Sequence, residues 1–274
     1  MGVRSWLKRR LGSGSAIVPV VRLAGVIAAD QRPGRLNIEA VAPLLKRAFA
    51  IKSAPAVAIV INSPGGSAVQ SRLISKRIRD LADEHKKPVL VFVEDAAASG
   101  GYFIATAGDE IIADPSSIVG SIGVIFASFG FVGALERLGV ERRVHTAGRN
   151  KSTLDPFLPE KPEDIERIKR MESEIHEVFI GWVKSRRGAK LKASDDELFT
   201  GEFWSGVRGL ELGLVDSLGD LHEVLTSRYG KDVELKLISP KRSLFSLPRL
   251  VAAGLFADGA AHIEDRLHWN RLGL

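Results

Sequence analysis

The sequence predicts an α/β protein organised around a parallel β-sheet, and three observations support this class. Two apolar runs, residues 56–61 and 89–93, have the length and the β-branched composition of buried strands. Each run leads into a glycine-containing turn and then into a stretch with helical spacing of apolar residues. Strand and helix patterns continue to alternate beyond them. Such alternation is typical of parallel strands that are covered by helices.

The other predicted strands lie before and after these two runs. Residues 18–27 alternate enough between apolar and other side chains to form a strand. Short apolar stretches predict three more strands, at residues 111–113, 120–126 and 140–145. Asp114 and Pro115 form a turn signal between the first two of these three strands.

The predicted helices are identified by their caps and by apolar residues three or four positions apart. Asn37 and Ser67 are cap residues for the first two helices, and Pro162 begins the longest one. Gly139 and Gly213 end two shorter helices. The full set of predicted helices comprises residues 38–49, 67–84, 99–107, 132–138, 163–186, 202–212 and 221–229.

Ser99 occupies the turn between the strand at 89–93 and the helix that follows it. The backbone N–H groups of a first helical turn have no partner within the helix, so an oxyanion formed beside them is stabilised. Gly100 and Gly101 leave room there for the backbone of another molecule. A serine before a helix is also a common N-cap, and this second interpretation stays open.

A similar turn follows the strand at 56–61. Pro64 favours extended geometry at Ser63, and Gly65 and Gly66 then precede the next helix. Two such turns at the same end of neighbouring strands could combine their N–H groups into an oxyanion hole. A plain glycine-rich turn is the alternative. A third polar segment, residues 146–156, carries one lysine, Lys151, and a loop lysine is ordinarily only solvated.

Four motifs in this order, NSPGG, DAAASGGY, GSIGV and GRNKS, resemble those of the signal peptide peptidase A family. The resemblance covers roughly residues 18–225. Members of that family are serine peptidases with a Ser-Lys dyad. The resemblance implies the following roles: Ser99 as nucleophile, Lys151 as general base, Gly66 and Gly100 as oxyanion donors, and Ser121 and Gly65 as supporting residues, with Ser121 orienting the lysine.

The resemblance also implies a fold, partners and chemistry. The fold would be a ClpP/crotonase-like core of repeated ββα units with added C-terminal helices. Peptides such as signal peptide remnants would be the substrates, and neither a cofactor nor a metal would be required. Family members form rings in which the serine of one subunit can meet the lysine of the next. We therefore expect a homo-oligomer larger than a dimer.

Two other function classes remain open. A crotonase-type acyl-CoA enzyme would share the backbone oxyanion hole, but it would need catalytic carboxylates at the turns. A catalytically idle scaffold at a membrane would keep the fold without needing Ser99. The six histidines share no partner spacing, so a Ser-His-Asp triad is a weaker hypothesis than the dyad.

The composition limits these choices further. With 274 residues, 45% of them hydrophobic and 26% charged, the chain can bury a large core. Because it has no cysteine, disulfides and cysteine nucleophiles are excluded. The net charge of +6 favours acidic partners or anionic lipid, but the pattern is not that of a nucleic-acid-binding protein. The acidic residues 195–197 predict a solvated helix start and not a metal site, since no histidine or cysteine is nearby.

The chain divides into a basic N-terminal arm at residues 1–15, a single peptidase domain at 16–238 and an amphipathic tail at 239–274. No window offers the roughly 20 apolar residues that a membrane-spanning helix needs, although most family members begin with one. The arm and the tail could lie on a membrane surface, or the arm could be a frayed end and the tail could pack on its own core. We expect a cytoplasmic protein with peripheral contact at the inner face of the membrane.

Overall fold

Eight strands of the chain form one sheet in the computed structural model, which describes residues 15–32, 34–148, 150–240 and 265–274. The strands are β1 (Ile17–Ala24), β2 (Val57–Ser63), β3 (Val89–Ala98), β4 (Glu110–Ala113), β5 (Ile118–Gly120), β6 (Phe203–Ser205), β7 (Ser217–Leu218) and β8 (Glu234–Leu237). The helices are α1 (Ile38–Phe49), α2 (Ala68–His85), α3 (Gly100–Ala105), α4 (Val132–Leu138), α5 (Pro162–Arg187), α6 (Asp195–Leu198), α7 (Gly206–Leu212), α8 (Leu221–Tyr229) and α9 (residues 265–270).

The sheet is parallel in all its pairings but one, as the sequence predicted. Its strands lie in the order β6, β5, β3, β2, β1, β8, and only β5 and β6 are antiparallel. The long strand β3 pairs with β4 through residues 90–93 and with β5 through residues 96–98. β7 extends the branch that begins at β4. The sheet therefore divides halfway along β3, and the half that pairs with β5 leads to Ser99.

The core lies on both faces of this sheet. On one face, Ile59, Ile61 and Val91 pack with buried residues of α1 and α2, and these side chains are fully shielded from solvent. On the other face, Leu90 and Phe92 form a smaller cluster that α8 covers. Because β2 and β3 are covered on both sides, their continuous apolar sequences are explained.

The predicted caps of the first two helices are confirmed. The Asn37 side chain accepts a hydrogen bond from the amide of Ala40 at 2.9 Å, and that of Ser67 accepts one from Gln70 at 3.4 Å. Pro162 begins α5, and Gly139 ends α4 in a left-handed conformation. Cap chemistry therefore located these helix ends correctly.

Three predicted elements are wrong. Residues 120–126 are not a strand beyond Gly120, because Gly120 and Ser121 both have positive φ (101° and 53°) and turn the chain out of the sheet. Residues 140–145 form no strand, since they are exposed and no neighbouring strand lies beside them among the described residues. The predicted helix at 202–212 begins only at Gly206, because residues 203–205 pair with β5 as β6. β7 and β8 were not predicted.

None of the helices within the described ranges has the length and hydropathy to cross a bilayer. The predicted basic arm lies outside the described residues, except for residue 15. Residues 241–264 of the predicted tail also lie outside them. The end of that tail, residues 265–274, is described and contacts the domain near Arg35.

Candidate active site

Ser99 lies in a strained turn between β3 and α3. Its φ of 51° and ψ of −121° place it in a region that side-chain-bearing residues seldom adopt, and such strain is typical of functional sites. The Ser99 amide donates to the carbonyl of Gly120 at 2.8 Å, and the Ser99 carbonyl accepts from Phe103 at 2.9 Å. Ser99 occupies the N-cap position of α3, but its side chain makes no capping hydrogen bond to the helix. Ser99 is partly exposed to solvent.

The glycine turn after β2 lies directly against Ser99. A Cβ on Gly65 would approach the Ser99 Cβ to 2.8 Å and the Gly100 nitrogen to 3.0 Å. A Cβ on Gly100 would lie 3.4 Å from the nitrogen of Gly66. The two turns that the sequence predicted to lie at the same sheet edge are therefore adjacent. Only glycine fits at Gly65 and Gly66, since both also have φ above 100°.

Two backbone amides beside Ser99 are available to an oxyanion. Gly100 is the first residue of α3, where the N–H group has no helical partner. The amide of Gly66 has no acceptor within the parts of the chain that the structure describes. Donors held ready in this way stabilise the negative charge that develops on a carbonyl oxygen during acyl transfer.

The register between β2 and β3 explains how the turns come together. Ile61 pairs with Val93, but Ser63 pairs with Ala97, so β3 contains two extra residues at this point. The side chain of Asn62 accepts a hydrogen bond from Ala96 at 3.3 Å and donates one to Asp95, which fixes the irregular stretch. This irregularity moves the end of β3 beside Gly65.

Tyr102 anchors the start of α3 to the protein core. Its ring is fully buried, and its hydroxyl donates to the carbonyl of Leu214 at 2.7 Å. Burial raises the pKa of Tyr102, so the hydroxyl stays protonated and remains a donor. The next residue, Phe103, stacks on Trp182 of α5. Both contacts restrain the helix that carries Gly100.

Ser99 lines a cavity of about 1050 Å³. Ser121, which also has a positive φ, lines this cavity with Ser99, Gly66 and Gly100. Its amide donates to the carbonyl of Glu202 at 2.7 Å, which leaves its side chain beside the cavity. The remaining walls are mostly apolar and include Val69, Val124, Ile125, Ile175, Phe179 and Phe203.

Lys151 is not among the residues that line the cavity. Its side chain is exposed and has no hydrogen bond or ion pair within the described residues. The loop around it is held by Asp155, which binds Arg142 at 2.9 Å. The hydrogen bond from Arg142 lowers the pKa of Asp155, and the Phe157 amide contributes to this effect. The structure thus brings together Ser99, Gly65, Gly66, Gly100 and Ser121, but it does not add Lys151 to them.

The segment that carries Lys151 has an unusual apolar surface. Eight large apolar side chains between residues 125 and 157 are exposed, and α4 has no buried residue. They are Ile125, Phe126, Phe129, Phe131, Leu138, Val140, Val144 and Phe157. We call residues 125–157 the apolar arm, which is distinct from the basic N-terminal arm. An apolar surface of this kind is typical of a protein interface.

Sequence reasoning missed several residues of the cavity. His176 of α5 lines it, although the histidines had been set aside because of their scattered spacing. His268, Arg271 and Leu272 of the described tail line it as well. Asp265 binds Arg35 at 2.9 Å, and the Arg35 side chain is only 6% exposed. No local sequence signal could have located these residues, since their positions depend on tertiary packing.

Comparison with known proteins identifies relatives of this arrangement. The family model described as peptidase family S49 matches residues 82–236. The serine protease SPPA, chloroplastic, of Arabidopsis thaliana is 27% identical over an alignment of 262 residues, gaps included, that covers 92% of this chain and 38% of that protein. A Brucella abortus protein named Na(+)/H(+) antiporter NhaA is 54% identical over an alignment of 285 residues, gaps included, that covers 98% of this chain and 38% of that protein.

The chain therefore spans about two fifths of the length of these two relatives. The name antiporter describes transport across a membrane and belongs to a protein that is mostly outside the match, so it assigns no activity to this chain.

A solved structure supports the fold class. A membrane-bound stomatin-specific protease, solved as a lysine-to-alanine mutant in complex with a substrate peptide, superimposes with a TM-score of 0.52 at 20% identity. The match covers 84% of this chain and 94% of that chain. At this identity the likeness concerns the fold alone, and it confirms the predicted α/β class.

Proposed function

Because this chain belongs to peptidase family S49, we propose that it hydrolyses peptide bonds with Ser99 as the nucleophile. The observation that carries the proposal is a strained serine in an apolar cavity, beside two amides that have no acceptor among the described residues. The family membership agrees with the resemblance to signal peptide peptidase A seen in the four motifs.

The reaction would proceed through an acyl-enzyme. Neutral Lys151 takes the proton of the Ser99 hydroxyl while the Ser99 oxygen attacks the peptide carbonyl. The amides of Gly66 and Gly100 then stabilise the oxyanion. The C–N bond then breaks, and the protonated lysine gives its proton to the leaving amine. Water, deprotonated by the same lysine, then attacks the ester; the bond to the Ser99 oxygen breaks, the lysine returns the proton to that oxygen, and the second product leaves. In this proposal Ser121, which lines the same cavity as Ser99, orients the lysine.

Lys151 would come from a neighbouring subunit. Three observations support this arrangement: Lys151 is exposed, it does not line the cavity, and the apolar arm that carries it has an apolar surface. A head-to-tail contact of this kind repeats around a ring if the rotation closes, so we propose a homo-oligomer larger than a dimer. Exposed Met171 and Val178 on α5 offer further apolar area for the contact.

The apolar walls of the cavity favour peptides with apolar side chains, and signal peptide remnants belong to this class. No step of this reaction needs a metal or a cofactor.

The net charge of +6 supports a cytoplasmic location with peripheral contact at an anionic membrane face. Flotation with anionic liposomes at low and high salt tests this contact. Protein that stays at the bottom at low salt would contradict it.

The decisive experiment mixes two inactive variants. Ser99→Ala and Lys151→Ala subunits are each expected to lose peptide hydrolysis by at least about 10²-fold, because the two residues act as a unit. Mixed assemblies restore part of the activity if the site is shared, since some interfaces then combine an intact Ser99 with an intact Lys151. As a control, Ser99→Ala subunits are mixed with the double variant, and this mixture stays inactive.

The outcomes separate the parts of the proposal. Mixed assemblies that form but stay inactive would place the dyad within one chain. Lys151→Ala protein that keeps more than about a tenth of the wild-type rate would overturn the base assignment. Wild-type protein that neither cleaves peptides nor reacts with a fluorophosphonate probe would favour an idle scaffold.

A further inference from the structure

One face of α5 holds the chain segment that follows Ser121. The His176 Nε2 lies 2.9 Å from the carbonyl oxygen of Ile122, and the Glu172 Oε1 accepts a hydrogen bond from the Phe126 amide at 2.6 Å. His176 and Glu172 are four residues apart, so they lie on the same face of the helix. They bind the two ends of a five-residue segment, residues 122–126.

The residues between these two bonds have free backbone groups. Gly123, Val124 and Ile125 all line the cavity that contains Ser99. The Gly123 amide donates to the Ser121 carbonyl, but the amides and carbonyls of Val124 and Ile125 have no partner among the described residues. These groups are open to the cavity, and the main chain of an extended peptide supplies donors and acceptors at a suitable spacing to bind them.

The contacts of α5 determine where these backbone groups lie. Gly120 and Ser121 turn the chain out of the sheet, so no strand partner positions residues 122–126. The buried Ile122 side chain fixes one point, and the two hydrogen bonds from α5 fix the carbonyl at one end and the amide at the other. A carbonyl oxygen can only accept, so the His176 ring carries its proton on Nε2.

We propose that His176 and Glu172 are positioning residues that hold residues 122–126 as a main-chain docking edge for an extended peptide substrate. The proposal rests on the proposed peptidase function and extends it to the way the substrate is bound. Neither residue contacts the reacting atoms, and each acts through the segment that it binds. Their loss therefore affects substrate binding more than the chemical step.

The test measures binding and turnover separately. In the full-length Ser99→Ala chain, which holds peptide without cleaving it, the affinity for a fluorescent apolar peptide of about eight residues is measured by anisotropy. Adding His176→Ala is expected to weaken binding by about tenfold, the usual effect of one lost hydrogen bond and the order it imposes. His176→Gln keeps a side-chain N–H donor and is expected to restore most of the affinity.

Glu172 is tested in the same way. Glu172→Ala removes the acceptor for the Phe126 amide, while Glu172→Gln keeps one oxygen at that place. Glu177→Ala is the matched control, because Glu177 lies on the same helix, is exposed and makes no side-chain hydrogen bond within the described residues. It is expected to bind peptide as the parent does.

In chains with an intact Ser99, the same His176 and Glu172 substitutions are expected to raise KM by about tenfold and to change kcat much less. Equal affinity in the alanine variants and the parent would overturn the proposal. Failure of the glutamine variants to restore binding would do the same, since it would indicate loss of packing. If the wild-type chain cleaves no peptide although the Ser99→Ala chain binds it through this edge, only the proposed peptidase activity falls.

Discussion

Replacement of Gly100 by alanine is expected to disable the oxyanion site without unfolding the protein. A Cβ at this position would lie 2.4 Å from the Oγ of Ser71, where ordinary contact begins at 3.4 Å. The two atoms must therefore move apart by about 1 Å. Such a displacement of a catalytic group can lower a rate by about 10²-fold, so we expect a loss of 10- to 100-fold in kcat.

The stability of this variant is expected to fall by only about 1–2 kcal/mol, because crowding in a packed interior costs about 1–3 kcal/mol and the helix preference of alanine offsets part of it. Gly100 has an ordinary φ and lies in the first turn of α3, where alanine is favoured over glycine by up to about 1 kcal/mol. Thermal unfolding of Gly100→Ala is therefore expected to match the wild type within a few degrees. Gly181→Ala is the control, because nothing lies within 4 Å of its Cβ position in α5.

A second substitution tests the cause. Ser71 Oγ donates to the carbonyl of Ser67 at 2.8 Å, and Ser71→Ala removes the atom that crowds position 100. The double variant is expected to recover most of the lost rate, whereas Ser71→Ala alone loses little. Kinetic analysis of the four proteins with one peptide gives the coupling directly. A Gly100→Ala protein with wild-type kcat, or a double variant no faster than Gly100→Ala, would refute the reasoning.

Two further changes test the stability and the access of the site. Asp216 binds the buried Arg187 at 2.7 Å; burial opposes its ionisation, but the hydrogen bonds from Arg187 and Lys190 prevail and lower its pKa. Asp216→Asn is expected to cost about 3 kcal/mol in urea unfolding at pH 7. The difference should shrink as the pH falls below about 4, where the unfolded chain takes up a proton at Asp216 while the folded carboxylate is still ionised, and it should vanish only below the lowered pKa of the folded carboxyl. A constant difference would contradict this. Asp265→Asn weakens the bond to Arg35 and is expected to raise kcat/KM for long peptides several-fold, because residues 265–274 occupy part of the cavity wall. An unchanged or lower value in steady-state kinetics would contradict that expectation.

The sequence was most informative where local chemistry decides the structure. The apolar runs of β2 and β3 and the cap residues Asn37 and Ser67 each specify their element within a few residues. The two glycine turns were predicted to meet because the carboxyl ends of parallel strands lie at one edge of a sheet. Gly65, Gly66 and Gly100 do lie there with Ser99.

The sequence failed where neighbours decide the structure. Residues 140–145 have a strand-like pattern, but a strand needs a partner and none is beside them in the described chain. Residues 203–205 look helical together with those that follow, yet pairing with β5 and the burial of Trp204 make them a strand. The roles of His176 and Glu172 depend on the packing of α5 against a distant segment, which leaves no local pattern.

The position of Lys151 on the apolar arm has a consequence for the control of the proposed activity. If Ser99 and Lys151 of different subunits form the site as proposed, a lone subunit would possess only half of it, because its serine lies in the cavity and its lysine lies outside. Dilution would then act as an off-switch, and specific activity would rise with protein concentration. Clustering of subunits on a surface raises their effective concentration without any new synthesis, so a small change in local density would start proteolysis there and leave dispersed subunits harmless to other proteins.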